Sequence, residues 1–242
     1  MKYEYLVDTY ETERLKVMSV WSLFKDEDLR ERPHAENRRG RSVLEQMVHQ
    51  CASEDLWFRG ILGIDVSAPP LPALETRREF IRRYALDSGK RLQALRSKDD
   101  SWWEDEAPFF DVRCSRAWVL VRRMDHTAHH RGQQTAMLRM LHRDLHSTYG
   151  PTADTGGLMQ HNAPTIYAYP DEDALLTDAD TGANRTPLPG PGDKPPRNDR
   201  SRGRPAHARS KTDDESAANR CVSLRWPPCR SWGLPRPQQV RQ

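Results

Sequence analysis

His126 and His130 lie four residues apart in the run Met124-Asp125-His126-Thr127-Ala128-His129-His130-Arg131-Gly132-Gln133. A helix advances about 100° per residue, so this spacing stacks two imidazoles on one face with Cβ atoms about 6 Å apart. Neutral imidazole nitrogens so placed can meet one divalent ion. Two ligands do not close a site, and His49, in a separate helical segment, is the best third. Three protein nitrogens with an open position for water form the pattern of a catalytic rather than a closed structural zinc. Such an ion lowers the pKa of bound water or thiol and polarises an electrophile. The plainer alternative is three hydrogen-bonded core or groove histidines. His129 could replace one ligand, being about 60° from His126 and about 100° from His130 around the helix. Glu45 and Asp125 are candidates to orient the rings, although such carboxylates usually face solvent, the reading preferred for Asp125. Gln133, three residues after His130, could touch bound water or cap an adjacent helix. Unperturbed imidazoles titrate near 6.5, so metal affinity is expected to fall below about pH 6.

The elements that must position these residues are helical. Leu6, Tyr10, Val17, Val20, Trp21 and Phe24 recur at helical steps and predict a first helix over 4–24. Lys25 to Arg41 is polar, holds Pro33 and Gly40, and reads as a long loop. Ser42-Val43-Leu44-Glu45 is a capping box opening a second helix that carries His49 and reaches about Leu62. Cys51 is turned about 160° from His49 and belongs to the core. The prolines at 69, 70 and 72 interrupt any helix and mark a crossover. A second box, Thr76-Arg77-Arg78-Glu79, opens a third helix. Ser97 to Val112 reads as a loop whose Trp102, Trp103, Phe109 and Phe110 either fold back over the bundle or form a partner surface. The fourth helix runs from about Ser115 to His142. Its arginines 122, 123, 131, 139 and 143 read as a solvated face paired with carboxylates. His142, His146 and His161 could line an entrance, whereas His34 and His207 sit in polar loop or tail. Strand alternation is nearly absent. The expectation is an all-α four-helix bundle with a long crossover and an irregular C-terminal arm over 146–180, where metal sites form between facing helices.

Charge divides the chain in the same place. Residues 181–242 carry 13 Lys and Arg, 5 Asp and Glu and 10 of the 18 prolines, leaving residues 1–180 at a net −5. A stretch so poor in apolar residues cannot offset the entropy of ordering it. The reading is one domain over 1–180 and a disordered Pro/Arg-rich tail over 181–242. Nucleic-acid binding is disfavoured because the folded part is acidic and lacks a stacking motif, although the basic tail could bind acidic surfaces nonspecifically. No leader pattern opens the chain, and the apolar run Ala117–Val121 is far short of the ~20 residues of a membrane span. Four scattered cysteines (51, 114, 221, 229) fit a reducing cytoplasm.

The motif His126-x-x-x-His130-Arg131-Gly132-Gln133 is joined by His49 within Met47-Val48-His49-Gln50-Cys51-Ala52-Ser53-Glu54-Asp55-Leu56-Trp57 and by the continuation from Leu138 to Gly157. Together they resemble the DinB/YfiT-like family of bacterial metal-binding four-helix bundles over roughly residues 1–175. The resemblance implies metal ligands at His49, His126 and His130, a zinc or nickel ion, and a homodimer. It also implies a thiol S-transferase or hydrolase acting on a small electrophile, with a small-molecule thiol as partner. The alternative it leaves is a non-catalytic, DNA-damage-inducible stress protein with a structural metal. From Asn184 onward the chain departs from the family.

Overall fold

Hydroxyl side chains mark where three of the long helices begin. In the computed structural model, which describes residues 2–37, 39–66, 68–157 and 162–191, Ser42 Oγ accepts from the Glu45 N–H at 3.2 Å. The Glu45 carboxylate accepts from the Ser42 N–H at 2.9 Å, completing the reciprocal box. Thr76 Oγ1 accepts from the Glu79 N–H at 3.3 Å, but the Glu79 carboxylate turns to Arg82 instead of reaching back. Ser115 caps the last long helix through the Trp118 N–H at 3.3 Å. In chain order the elements are α1 (Glu4–Ser22), α2 (Val43–Gly60), α3 (Arg77–Arg96), the short α4 (Asp100–Glu104), the hairpin strands β1 (Glu106–Phe109) and β2 (Val112–Ser115), α5 (Arg116–Met140) and the short α6 (Glu172–Thr177). α5 ends in a Schellman turn: His142 takes a left-handed φ of 54° and the Arg143 N–H returns to the Leu138 carbonyl at 2.9 Å. The fold is the expected all-α four-helix bundle, with α1 packed on α3 and α5, and α2 on α5 and α3.

The buried apolar side chains form two clusters. One gathers Trp21, Phe24, Met47, Phe80, Met137 and Leu138; the other gathers Tyr10, Phe58, Leu92, Trp103, Val119 and Leu120. Between these positions along each helix lies a buried polar layer holding Glu13, Glu54, Arg91 and His130. At its centre the Glu54 carboxylate accepts from Tyr10 at 2.6 Å, Tyr84 at 3.0 Å and Arg91 at 3.4 Å, with Arg123 Nη2 at 3.6 Å. Every other long helix, α3 through two residues, therefore meets a single side chain of α2.

Two connections differ from the sequence reading. The polar stretch after α1 contains a 3-10 helix, Asp26–Arg30, in which Asp28 accepts from the Lys25 N–H at 2.8 Å and pairs with Arg143 at 2.6 Å. The stretch expected to be an aromatic loop is α4 followed by the β1–β2 hairpin, with Glu106 opposite Ser115 and Phe109 opposite Val112. Its two-residue turn places Phe110 at φ 55°, without the Asn-Gly or Gly signal that announces such turns. Trp103 is buried and Phe109 packs edge-on against Trp57 and Trp118, both at 5.1 Å, so the segment folds back over the bundle.

The C-terminal arm lies on α1. Arg14 pairs with Glu172 at 2.5 Å, Tyr149 Oη donates to Glu13 at 3.2 Å, and Ala168, Tyr169, Leu175 and Ala179 join the core. The polar chain assigned to the tail from residue 181 is tied down as far as Gly190. Asp178 accepts from the N–H groups of Ala183 and Asn184, Thr186 N–H donates to Ala168, and Gly190 N–H donates to Asp154. Backbone capture by the buried Asp178 carboxylate and by main-chain carbonyls, which composition does not register, holds this segment. Residues 192–242, including Cys221, Cys229 and His207, lie outside the described residues, as does His161. Among the described residues no helix is long and apolar enough to cross a membrane.

Removing the Glu54 carboxylate leaves Arg123 buried without its counter-charge and Arg91 with Asp55 alone. Glu54→Ala is expected to lower the unfolding free energy by about 3–5 kcal/mol, read from urea titrations, with Glu54→Gln between it and the wild type. Unchanged stability in Glu54→Ala would show that the network does not hold the bundle.

Candidate metal centre

Helical spacing and the packing of α2 on α5 bring three imidazoles to one point. His49 Nε2 lies 3.4 Å from His126 Nε2, which lies 3.2 Å from His130 Nε2. One ligand atom from each residue falls within 4.8 Å of the others. The rings meet edge to face, with interplanar angles of 76°, 67° and 88°, so their nitrogens converge without the rings stacking. A tetrahedral ion with nitrogen bonds of about 2.0–2.1 Å separates its donors by about 3.3–3.4 Å. The donor set therefore fits a divalent cation in chemistry and in spacing.

The surroundings fix ring orientation and charge. His130, buried, donates from Nδ1 to Gln133 Oε1 at 3.1 Å, which leaves its Nε2 lone pair for the centre. Gln133 Nε2 in turn faces His129 Nε2 at 2.9 Å, so His129 stands outside the cluster on the exposed side. Trp57 lies parallel to His126, the planes 4° apart and the centroids 6.1 Å apart. Arg123, fully buried, donates from Nη1 to Ser53 Oγ at 2.9 Å and to His126 Nδ1 at 3.0 Å. All three rings are held neutral. Burial foremost, then Arg41 and Arg123, lowers His49 to about 4; burial, then Arg123 and the other rings, lowers His126 to about 3. Burial, His49, His129 and Arg41 lower His130 to about 4, against an ordinary value of 6.5.

Other residues singled out from the sequence stand apart from the centre. Glu45 closes the α2 cap and pairs with Arg32, so it does not orient His49. Asp125 pairs with Arg122 at 3.4 Å on the exposed side of α5. Cys51 is buried, and burial pushes its thiol well up. His146 is buried and donates to the Thr186 carbonyl at 2.7 Å, a structural role, and His142 is the helix-ending residue. The basic face of α5 is only partly solvated: Arg123 and Arg131 are buried, the latter bonded to Glu13 and Tyr149. Arg123, Trp57 and Arg41 were missed as neighbours of the site. A signal for Arg123 was present, because it stands seven residues before His130, two helical turns along the same face.

A profile of the DinB family matches residues 3–156. In fold the chain is similar to a DinB-like protein from Bacillus cereus ATCC 10987, with a TM-score of 0.53 at 17% identity, over 60% of this chain and 97% of that one. No curated protein matches the chain.

The low ring pKa values set two pH dependences. The unfolded chain takes up protons near 6.5 while the folded rings resist them down to about 4 or below. The unfolded state thus binds more protons in that window, and stability falls as pH drops through it. Urea titrations of metal-free protein should show this loss, with a smaller slope in His126→Gln. Competition between protons and metal moves down by the same amount, replacing the threshold near 6 expected for ordinary imidazoles. Protein loaded at pH 7 should retain its metal through dialysis at pH 5, and complete release there would contradict the assigned environment. Gln133→Ala, which frees the His130 ring, should weaken metal affinity by about 10-fold or more, measured by competition with a chromophoric chelator.

Proposed function

The chain belongs to the DinB family, and we propose that it holds a divalent metal, zinc or nickel, on His49, His126 and His130 and serves as a metal-dependent thiol transferase or hydrolase. The observation that carries this reading is the convergence of the three imidazoles, with His126 Nε2 3.4 Å from His49 Nε2 and 3.2 Å from His130 Nε2, beside an open cleft lined by His49 and Gln133. A closed structural site is completed by a fourth protein ligand; three ligands facing a cleft leave room for a reactant. When bound, the ion would lower the pKa of a thiol or water and polarise a small electrophile.

The protein's own contribution is orientation and exclusion. Gln133 fixes the tautomer of His130, Trp57 covers the flat side of His126, and Arg123 holds the edge of that ring. Neutral rings spare the centre the loss of an imidazolium proton at physiological pH, and His130 already presents its Nε2 lone pair. A homodimer in the cytoplasm belongs to the same proposal.

A second reading is a stress protein whose metal is structural, and one feature favours it: the rings lie in the polar layer where α2 meets α5, so an ion would pin those helices together. One experiment separates the two. Wild type and His126→Ala are loaded with stoichiometric zinc or nickel, then assayed for thiol conjugation to a chlorinated nitroaromatic and for melting temperature. Enzymatic use of the metal predicts conjugation that depends on the ion and is lost in His126→Ala. A structural metal predicts no conjugation by either protein and a metal-dependent rise in melting temperature that His126→Ala removes.

A further inference from the structure

Beside the metal centre lies a cleft of about 1060 Å³ that runs from His49 and Gln133 to Arg39 and Arg41. Its volume suits a small molecule rather than a lone water. Leu44, Val48, Ala52 and Met137 supply the apolar part of its lining. The charged groups are unevenly committed. Glu45 is hydrogen-bonded to Arg32 and to the α2 cap, and Arg41 acts on it only through space. Glu75 is the other carboxylate on the lining. Neither the Arg39 nor the Arg41 guanidinium enters a hydrogen bond or ion pair among the described residues, and both are exposed.

The centre reinforces this imbalance. Three neutral imidazoles contribute no negative charge to offset a divalent ion. The charged side chains that act most strongly on the rings, Arg41 and Arg123, are both cations. A ligand bridging such a cleft is favoured if it is negative at both ends.

We propose that this cleft selects a small molecule bearing an oxyanion, a carboxylate or phosphate, which Arg41 receives with Arg39 nearby while the molecule's reactive end reaches the metal. The proposal rests on the metal-centre reading and narrows its substrate class to anions. A planar guanidinium suits either oxyanion because its paired N–H groups match two oxygens at once.

The test uses the full chain loaded with cobalt(II), whose thiolate charge-transfer band reports a thiol on the metal. Three thiols with the same donor are titrated: mercaptoethanol, mercaptopropionate and mercaptoethyl phosphate. Wild type should bind at least one of the anionic thiols about tenfold or more tightly than mercaptoethanol, and the stronger of the two identifies the oxyanion. Arg41→Gln should bring that ratio to about one, whereas Arg96→Gln, an equal charge loss in the exposed ion pair with Glu11, should keep it. A ratio near one in wild type, or one unchanged by Arg41→Gln, overturns the proposal. Should no thiol give the band in any protein, the thiol reading itself fails. The subsite is then judged by calorimetric titration of succinate and inorganic phosphate. Binding that Arg41→Gln abolishes upholds the subsite, and equal binding or none in wild type overturns it.

Discussion

The bundle is organised around one buried carboxylate. Glu54 projects from α2 into the polar layer and meets Tyr10 of α1, Tyr84 and Arg91 of α3 and Arg123 of α5. An unpaired charge there would cost several kcal/mol, so any rotation or slide of one helix that broke the set would be penalised. Apolar packing alone tolerates such slips more readily, since one aliphatic side chain replaces another at similar volume. The polar layer therefore fixes the register that the two apolar clusters on either side leave loose. Arg123 passes that register to the metal centre, because the guanidinium that approaches Glu54 also donates to His126 Nδ1. The core network and the candidate site are continuous structure.

That continuity explains why the imidazoles converge without acidic help. Metal-bound histidines commonly lean on carboxylates, which raise ligand basicity. Here His130 leans on a neutral amide and His126 on a cation. Both choices keep the rings uncharged and the local potential positive, which weakens the hold on a cation while increasing the pull on an anionic ligand.

Much of this was legible in the sequence, for stated reasons. Ser42 and Glu45 announced α2 because capping is local chemistry between residues three apart, and the helix begins there. The spacing of His126 and His130 was legible for the same reason. What was not legible depends on the far side of a contact. Arg123 and Arg131 look like surface residues in any composition, and only the positions of Glu54 and Glu13 make their burial affordable. The hairpin escaped notice because strands of four residues show too little alternation and Phe110 is an unusual residue for a left-handed turn. The residues beyond 180 read as tail because their anchor, Asp178, acts through backbone N–H groups that every sequence possesses.

The hydrogen-bonding capacity of the cluster argues for an ion at its centre. Arginine has no acceptor, so the contact with Arg123 makes His126 Nδ1 the acceptor and leaves the neutral ring's proton on Nε2. His130 has its proton on Nδ1, facing Gln133, and offers only a lone pair to the middle. The His126 proton can serve one of its two neighbours well, at 3.2 Å or 3.4 Å, but not both in good geometry. A proton is thus a poor filling for the space between His126 Nε2 and its two neighbours at 3.2 and 3.4 Å. A divalent ion would take all three lone pairs once the His126 proton had left Nε2. The guanidinium that faces His126 Nδ1 also approaches Glu54, so one side chain links the three imidazoles to the packing of the four helices.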